Sequence, residues 1–209
     1  MADYKDIVGT AVRNNAGNLS DDQKQQIFYD STNLDFKYRL ANVTSVAWAS
    51  GGNLGTSRQF VVGAGSQDAS LAFAGNESPD NRTGKTEEYN GSSWTEVSDM
   101  NTGRQQTAGT KVSNTSALAF GGEYPGNTNS AITETWNGSS WTEVADMNTA
   151  NYVHAGAGAS STSALAFTGS SGPADLTKTE LWNGSSWTEV ADVNLARSNL
   201  GGAGIAPAA

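Results

Sequence analysis

Short apolar and polar segments recur along the chain at intervals of 46 or 47 residues. Residues 86–94 read TEEYNGSSW, residues 133–141 read TETWNGSSW and residues 179–187 read TELWNGSSW. The segments SLAFAG, ALAFGG and ALAFTG keep the same step. Because self-similarity at a fixed period is the signature of repeat proteins, the pattern predicts a fold built from copies of one unit.

A fourth, more diverged copy of the unit is marked by Trp48. Ten residues separate Trp94 from Arg104, and the same distance separates Trp48 from Arg58. The recurring aromatic positions, for which we expect a structural role, are Trp48, Trp94, Trp141, Trp187, Phe73, Phe120 and Phe167.

Each unit contains the signal for a β-hairpin. An Asn-Gly pair at 90–91, 137–138 and 183–184 lies between two short apolar or aromatic segments. Asn-Gly between such segments is the strongest short-range indication of a hairpin. We therefore predict one strand before and one strand after each pair.

Two further strands are predicted upstream of each hairpin. The ALAF segment is apolar on both faces, with Leu118 and Phe120 on one face and Ala117 and Ala119 on the other. A strand buried on both sides indicates a sheet that is packed between two neighbouring sheets. Glycine- and alanine-rich tracts such as 155–158 predict a strand where backbones lie close together. Each unit therefore reads as about four strands, and the fold class as all-β.

Four strands in a unit of this length are typical of a β-propeller blade. The units resemble the kelch and galactose-oxidase-like propeller repeats in the segment AFGG at 119–122, in Trp136 and Trp141, and in the arginine that opens the next unit. The resemblance implies a propeller of four-stranded blades. The chain departs from that pattern at Asn151, which replaces the arginine, and in having its glycine pair complete only at 121–122.

The amino-acid sequence of the repeats also resembles that of a second group of proteins, which are encoded by marine bacteriophages and especially by cyanophages. The likeness rests on the NGSSWTEVADMNTA, AGAG and ALAFGG segments and on FYDSTNLDFKYR at 28–39. It implies a component of the virion surface, such as a fibre, tail or capsid-decoration protein, with its N-terminal segment as the attachment end.

The units divide the chain into three full blades and the remains of a fourth. We place the full repeats at about 59–101, 105–148 and 152–194, and partial repeats at 26–50 and 198–206. Three blades cannot close a ring, since propellers have four to eight. A composite blade from both partial repeats would close one within residues 26–209, and we favour this arrangement. The alternative is an open array of blades whose edges pair with another copy or another protein.

Residues 1–25 follow neither strand nor repeat pattern and are rich in Asn, Asp and Gln. They are either a flexible terminus or a docking arm that orders on a neighbouring subunit.

Charge and composition exclude several classes of protein. The formal net charge of −9 has the wrong sign for a surface that binds nucleic acid. We find neither an apolar run of about 20 residues that could insert into a membrane nor a signal peptide, so we expect a soluble chain. The chain has no cysteine and one histidine, His154, and we expect neither a metal site nor a cofactor.

The acidic residues do not indicate an enzyme. Glu87, Glu134 and Glu180 recur at one position of the repeat, whereas an active site occurs once, so we expect a structural role for them. The lone His154 has no evident carboxylate partner. We predict that the protein is not an enzyme.

Two sets of residues remain as binding candidates. Arg58, Arg104 and Arg197 open successive repeats, so they either converge into a pocket for carboxylates or sulfated sugars or bond carbonyls and acids of the blades, which we favour. The aromatic residues before the Asn-Gly pairs, nearer the outer edge of each blade, are candidates for contact with a ligand: Tyr89, Trp136 and Trp182. We expect the tryptophans after the pairs to cement adjacent sheets.

These observations favour a non-enzymatic virion protein that presents a rigid propeller. Its expected partners are other virion proteins, which bind the N-terminal arm or the blade edges. Further copies of the same chain, in a homo-oligomer, are an alternative partner. The alternative function is a carbohydrate-binding module that recognises host surface glycans.

Overall fold

The computed structural model describes residues 51–78 and 80–205 together with the backbone of three earlier strands. All regular secondary structure in these residues is β-strand, as the sequence predicts. The described part of the chain contains no helix that is long and apolar enough to cross a membrane. The chain divides into two compact units, residues 1–50 and residues 51–209.

The first unit contains a three-stranded sheet formed by β1 (Asn14–Asn15), β2 (Ile27–Asp30) and β3 (Asp35–Tyr38). Strands β2 and β3 form an antiparallel hairpin, and β1 lies parallel to β2. The rest of the predicted arm at 1–25, and Trp48, lie outside the described residues.

The second unit contains three four-stranded antiparallel sheets, one for each full repeat. Sheet 1 consists of β4 (Val62–Gly65), β5 (Ser70–Phe73), β8 (Thr86–Tyr89) and β9 (Trp94–Glu96). Sheet 2 consists of β10 (Ala108–Gly109), β11 (Ala117–Phe120), β14 (Thr133–Trp136) and β15 (Trp141–Val144). Sheet 3 consists of β16 (Ala155–Ser160), β17 (Ser163–Phe167), β18 (Thr179–Trp182) and β19 (Trp187–Glu189). In each sheet the strands pair in chain order, so four strands per repeat are confirmed.

Two short hairpins lie between the second and third strands of sheets 1 and 2 and were not predicted. They are β6 (Asn76–Glu77) with β7 (Asn81–Arg82), and β12 (Glu123–Tyr124) with β13 (Thr128–Asn129). Arg82 joins the two hairpins, because its guanidinium donates to Glu123 Oε1 at 3.2 Å and to Asn127 Oδ1 at 2.7 Å.

The Asn-Gly pairs form the predicted hairpins, each with a four-residue Asn-Gly-Ser-Ser loop. In the second repeat, the Asn137 side-chain oxygen accepts hydrogen bonds from the backbone N–H groups of Ser139 and Ser140. Gly138 has a φ of 95°, a conformation that favours glycine over other residues. The loop places Trp136 directly opposite Trp141 across the hairpin.

The sheets pack face against face, and the ALAF strands lie in the core. Leu71 and Phe73 of sheet 1 pack in one cluster with Ala117 and Ala119 of sheet 2. Leu118 and Phe120 pack in a second cluster with the alanines of β17. The small face of one strand therefore receives the large face of the strand in the preceding sheet, as the two-faced apolar pattern predicts.

The first strands of successive sheets are joined by main-chain hydrogen bonds. Gly65 N–H donates to the Lys111 carbonyl at 2.9 Å, and Lys111 N–H donates to the Gly158 carbonyl at 3.2 Å. Gly158 N–H donates in turn to the Gly204 carbonyl at 3.1 Å. The donors and acceptors are 46 or 47 residues apart, so the segment around Gly204 lies against sheet 3 as each first strand lies against the sheet before it.

Candidate functional site

The arginines that open the first two repeats are buried and bonded within the protein. The Arg104 side chain has no exposed surface and donates to the carbonyls of Gly121 and Ile132 and to Glu134 Oε1, which is 3.0 Å away. Arg58 repeats this arrangement with Glu87 at 2.8 Å. The terminal nitrogens of both guanidinium groups donate to two carbonyls and a carboxylate of the repeat that each arginine opens. A role in binding an external anion stays a prediction.

The buried glutamates also hold the loops that connect the sheets. Glu134 Oε2 accepts from the backbone N–H of Asn101 at 2.7 Å and from the Asn101 amide at 2.9 Å. Asn101 belongs to the loop that leaves sheet 1, whereas Glu134 lies in sheet 2. One carboxylate therefore fixes the connection between two sheets and neutralises the arginine beside it.

The third repeat keeps the glutamate but lacks the arginine. Glu180 accepts from Asn148 and also from the backbone N–H of Thr149 at 2.9 Å. Asn151 stands in the place of the arginine and donates to the Thr168 carbonyl at 3.4 Å. The backbone N–H of Thr149 thus donates to the Glu180 oxygen that corresponds to the one bonded by Arg104 in Glu134.

Arg197 differs from the other two arginines because it is exposed. Among the described residues its side chain donates only to the Leu195 carbonyl, at 3.3 Å. By position it opens a fourth repeat. The structure therefore does not bring Arg58, Arg104 and Arg197 into equivalent surroundings.

The tryptophans after the Asn-Gly pairs join neighbouring sheets. Trp141 donates its indole N–H to Thr86 Oγ1 in sheet 1 at 2.9 Å, and its ring centroid lies 4.8 Å from that of Phe73. Trp187 makes the same bond to Thr133 of sheet 2, also at 2.9 Å, and contacts Phe120 at 4.9 Å. Each tryptophan thus packs on the phenylalanine of the preceding sheet and bonds the threonine beside it.

Two of the aromatic residues that precede the Asn-Gly pairs are buried. Trp136 and Trp182 have relative exposures of 0 % and 1 %. Their indole N–H groups donate to the carbonyls of Asn114 and Ser161 in loops of their own repeats. Tyr89 is partly exposed and contacts Trp94 at a centroid distance of 5.1 Å. A ligand-binding role for this set stays a prediction, and only Tyr89 presents a ring surface at the first end of the array.

Sheets 1 and 3 are the ends of the row of three sheets. Each of them leaves partly exposed a surface that, between neighbouring sheets, is buried by packing. At the first end, a pocket of about 340 Å³ is lined by Gly63, Trp94 and Lys111 among others. At the other end, Leu165 and Phe167 are partly exposed, although their counterparts in the other sheets are fully buried. Exposed apolar side chains of the last segment lie beyond them in the chain: Val190, Leu195, Leu200 and Ile205.

His154 is buried beside Phe120 and close to Gly121 and Gly169, which follow β11 and β17. Its ring lies 5.5 Å from that of Phe120, and a Cβ added at Gly121 would fall 2.3 Å from His154 Cε1. Burial is the main cause that lowers the pKa of His154 to about 3; the charges of Arg104 and Lys111 act in the same direction, and a hydrogen bond with the Phe120 backbone opposes them. The imidazole is therefore neutral at pH 7.

Acidic and histidine side chains in the described ranges do not group as metal ligands: no three of them lie together so as to hold an ion. No family model matches the chain, and a search of curated proteins finds no relative. The likenesses to kelch-type propellers and to phage proteins therefore stay predictions from the repeat sequences.

Proposed function

We propose that the protein is a non-enzymatic structural and interaction component of a bacteriophage virion, displayed on the particle surface in a fibre, the tail or the capsid decoration. The observation that carries the proposal is the use of the repeated polar side chains. In sheets 1 and 2 the arginine bonds groups of its own repeat and the threonine bonds the tryptophan of the next sheet, and the glutamates of all three sheets accept from connecting loops, as Arg104, Thr86 and Glu134 show. Such chemistry builds a rigid scaffold that presents its loops.

The sheets would be the blades of a small kelch-like propeller. In this proposal the fourth blade combines residues 26–50 with 198–206. The segment around Gly204 supports it, because that segment already takes the place of a first strand on sheet 3. The N-terminal arm at 1–25, or the blade edges, would then attach the propeller to other virion proteins.

Mass spectrometry of purified particles of the phage that encodes the chain tests the proposed location. We expect peptides from this chain to band with the particles on a density gradient, in a fixed ratio to the major capsid protein. A chain found in the lysate of infected cells but missing from the banded particles would contradict the proposal.

Carbohydrate binding is a second candidate function, favoured by the adjacent and partly exposed rings of Tyr89 and Trp94. A glycan array with the full chain and with Tyr89→Ala separates the two functions. Saturable binding that the variant loses would support a glycan site. If no glycan on the array shows saturable binding, the structural role remains as the single candidate function.

A further inference from the structure

Asn151 takes the place of a repeat arginine in the third repeat, but its side chain is shorter. The Arg104 carbonyl accepts from the backbone N–H of Gly75 at 2.9 Å, and the Asn151 carbonyl accepts from that of Gly122 at 2.8 Å. Gly75 and Gly122 are separated by the same 47 residues as Arg104 and Asn151. The two side chains therefore start from equivalent points of the backbone.

The oxygens that hold the guanidinium of Arg104 in sheet 2 have counterparts in sheet 3. In sheet 2 they are two main-chain carbonyls and one carboxylate. The groups at the equivalent positions of sheet 3 are the carbonyls of Thr168 and Lys178 and the carboxylate of Glu180. The Thr168 N–H donates to the Lys178 carbonyl at 2.8 Å, and the equivalent main-chain bond of sheet 2 is 3.1 Å long. The strands that carry these oxygens are therefore paired in the same way in both sheets.

Glu180 has no positively charged partner in residues 51–78 and 80–205. It is 2 % exposed, and its hydrogen-bond donors are all neutral, namely the backbone N–H and amide of Asn148 and the backbone N–H of Thr149. The ammonium of Lys178 bonds Glu189 instead. In sheets 1 and 2 the equivalent glutamate pairs with an arginine. Because a buried charge without a counter-charge is strongly destabilising, this carboxylate calls for a cation.

An unpaired oxygen lies beside the same group of acceptors. The Asn151 amide nitrogen donates to the Thr168 carbonyl at 3.4 Å. Its Oδ1 has no hydrogen-bond partner among the described residues, although Asn151 is only 3 % exposed. A buried acceptor of this kind is costly unless a donor or a cation meets it.

We infer that Asn151, Glu180 and the carbonyls of Thr168 and Lys178 form a binding site for an alkali-metal cation, Na⁺ or K⁺. All the ligand atoms are oxygens, which hard cations prefer, and main-chain carbonyls can replace the hydration shell of a monovalent cation. One carboxylate balances one positive charge, as Glu134 balances Arg104 in sheet 2. The site thus differs from a centre of three acidic or histidine ligands, which the described ranges do not contain. The inference goes beyond the proposed virion role and does not depend on it.

Urea denaturation of the full chain at varied cation composition tests the inference. Mixtures of NaCl or KCl with tetramethylammonium chloride, at one total concentration, change the alkali cation while the ionic strength stays constant. A ligand that binds only the folded state raises the ratio of folded to unfolded protein about tenfold for each tenfold rise in its concentration above the Kd. We expect this response to Na⁺ or K⁺. A ratio that depends on neither ion would overturn the inference.

Asn151→Arg is the deciding variant, because it gives sheet 3 the guanidinium that sheets 1 and 2 already have. We expect it to lose the response to alkali cations. Thr188→Arg is the matched control, since it adds the same charge at an exposed position of sheet 3 and should keep the response. A response that persists in Asn151→Arg would place the cation elsewhere and overturn the inference.

Asn151→Ala gives a second test that does not require a new side chain to fit. The variant lacks the Oδ1 ligand but keeps Glu180 and both carbonyls, so we expect its response at higher concentrations of the alkali cation than in the unmodified chain. An identical concentration dependence would contradict a role for Asn151 in the site.

Discussion

Side chains at equivalent positions of the repeat can be buried in one repeat and exposed in another, and the arginines show this most clearly. Arg104 is buried, with its charge balanced by Glu134 and its N–H groups taken by two carbonyls. Arg197, two repeats further along the chain, is exposed to solvent. Sequence marks both residues equally, because Glu134, the carboxylate partner of buried Arg104, is 30 residues away in the chain.

Replacing Arg104 by alanine should destabilise the protein strongly. Glu134 would stay buried without its counter-charge, which typically costs about 3–5 kcal/mol. Arg197→Ala is the matched control and should change the free energy of unfolding by no more than about 0.5 kcal/mol. Urea denaturation of both variants measures the difference, and equal losses would contradict the buried pairing.

His154 should make the stability of the protein depend on pH. Its pKa falls from 6.5 in the unfolded chain to about 3 in the folded protein, mainly because burial disfavours the charged ring. The unfolded state therefore binds more protons between these values, and stability is full above pH 6.5 and falls by up to about 1.4 kcal/mol per pH unit below it.

Denaturation at a series of pH values with His154→Val checks this dependence. Valine is the residue that the first repeat carries at the same position, Val61. The variant should lose the part of the slope between pH 6.5 and 4 that the histidine contributes. An unchanged slope would mean that other groups carry it.

Strands and turns are the scale at which the sequence was most informative. The Asn-Gly hairpins and the two-faced ALAF strands follow from local patterns, since TETWNGSSW and ALAF each lie within one short stretch of the chain. The bond from Trp141 to Thr86 spans 55 residues and depends on how two sheets stack, so no local pattern reveals it. The same reason explains why the repeat identified Arg58 and Arg104 as candidates but could not show that they are buried.

The glycines of the first strands let successive sheets approach closely. A Cβ added at Gly156 would lie 2.8 Å from Phe120 Cζ and 3.1 Å from Ala108 Cβ. Gly156→Ala should therefore lower the free energy of unfolding by about 1–3 kcal/mol, the usual cost of overpacking. A Cβ added at Gly201 has no neighbouring atom within 4 Å, so Gly201→Ala should leave the free energy of unfolding unchanged. Thermal unfolding of the two variants compares their stabilities.

On the scale of the second unit, residues 51–209, the three four-stranded sheets contact one another through one recurring interface. The proposed closure predicts that the chain, of 21.7 kDa, and a version that starts at Gln26 are both monomers. Light scattering on the purified proteins measures their masses. A defined oligomer that is lost on trimming would make the first 25 residues the assembly element, and one that survives would refute closure within one chain.

The uniform interface also bears on how such a gene can change. Each repeat has one surface that packs on the preceding sheet and another that packs on the following sheet. Unequal recombination within the stretches that encode NGSSWTEV would add or delete 46 or 47 codons at once and leave every junction intact. The number of four-stranded sheets can therefore vary by duplication, while the amino-acid sequence of each repeat is constrained by the neighbouring repeats that it must fit.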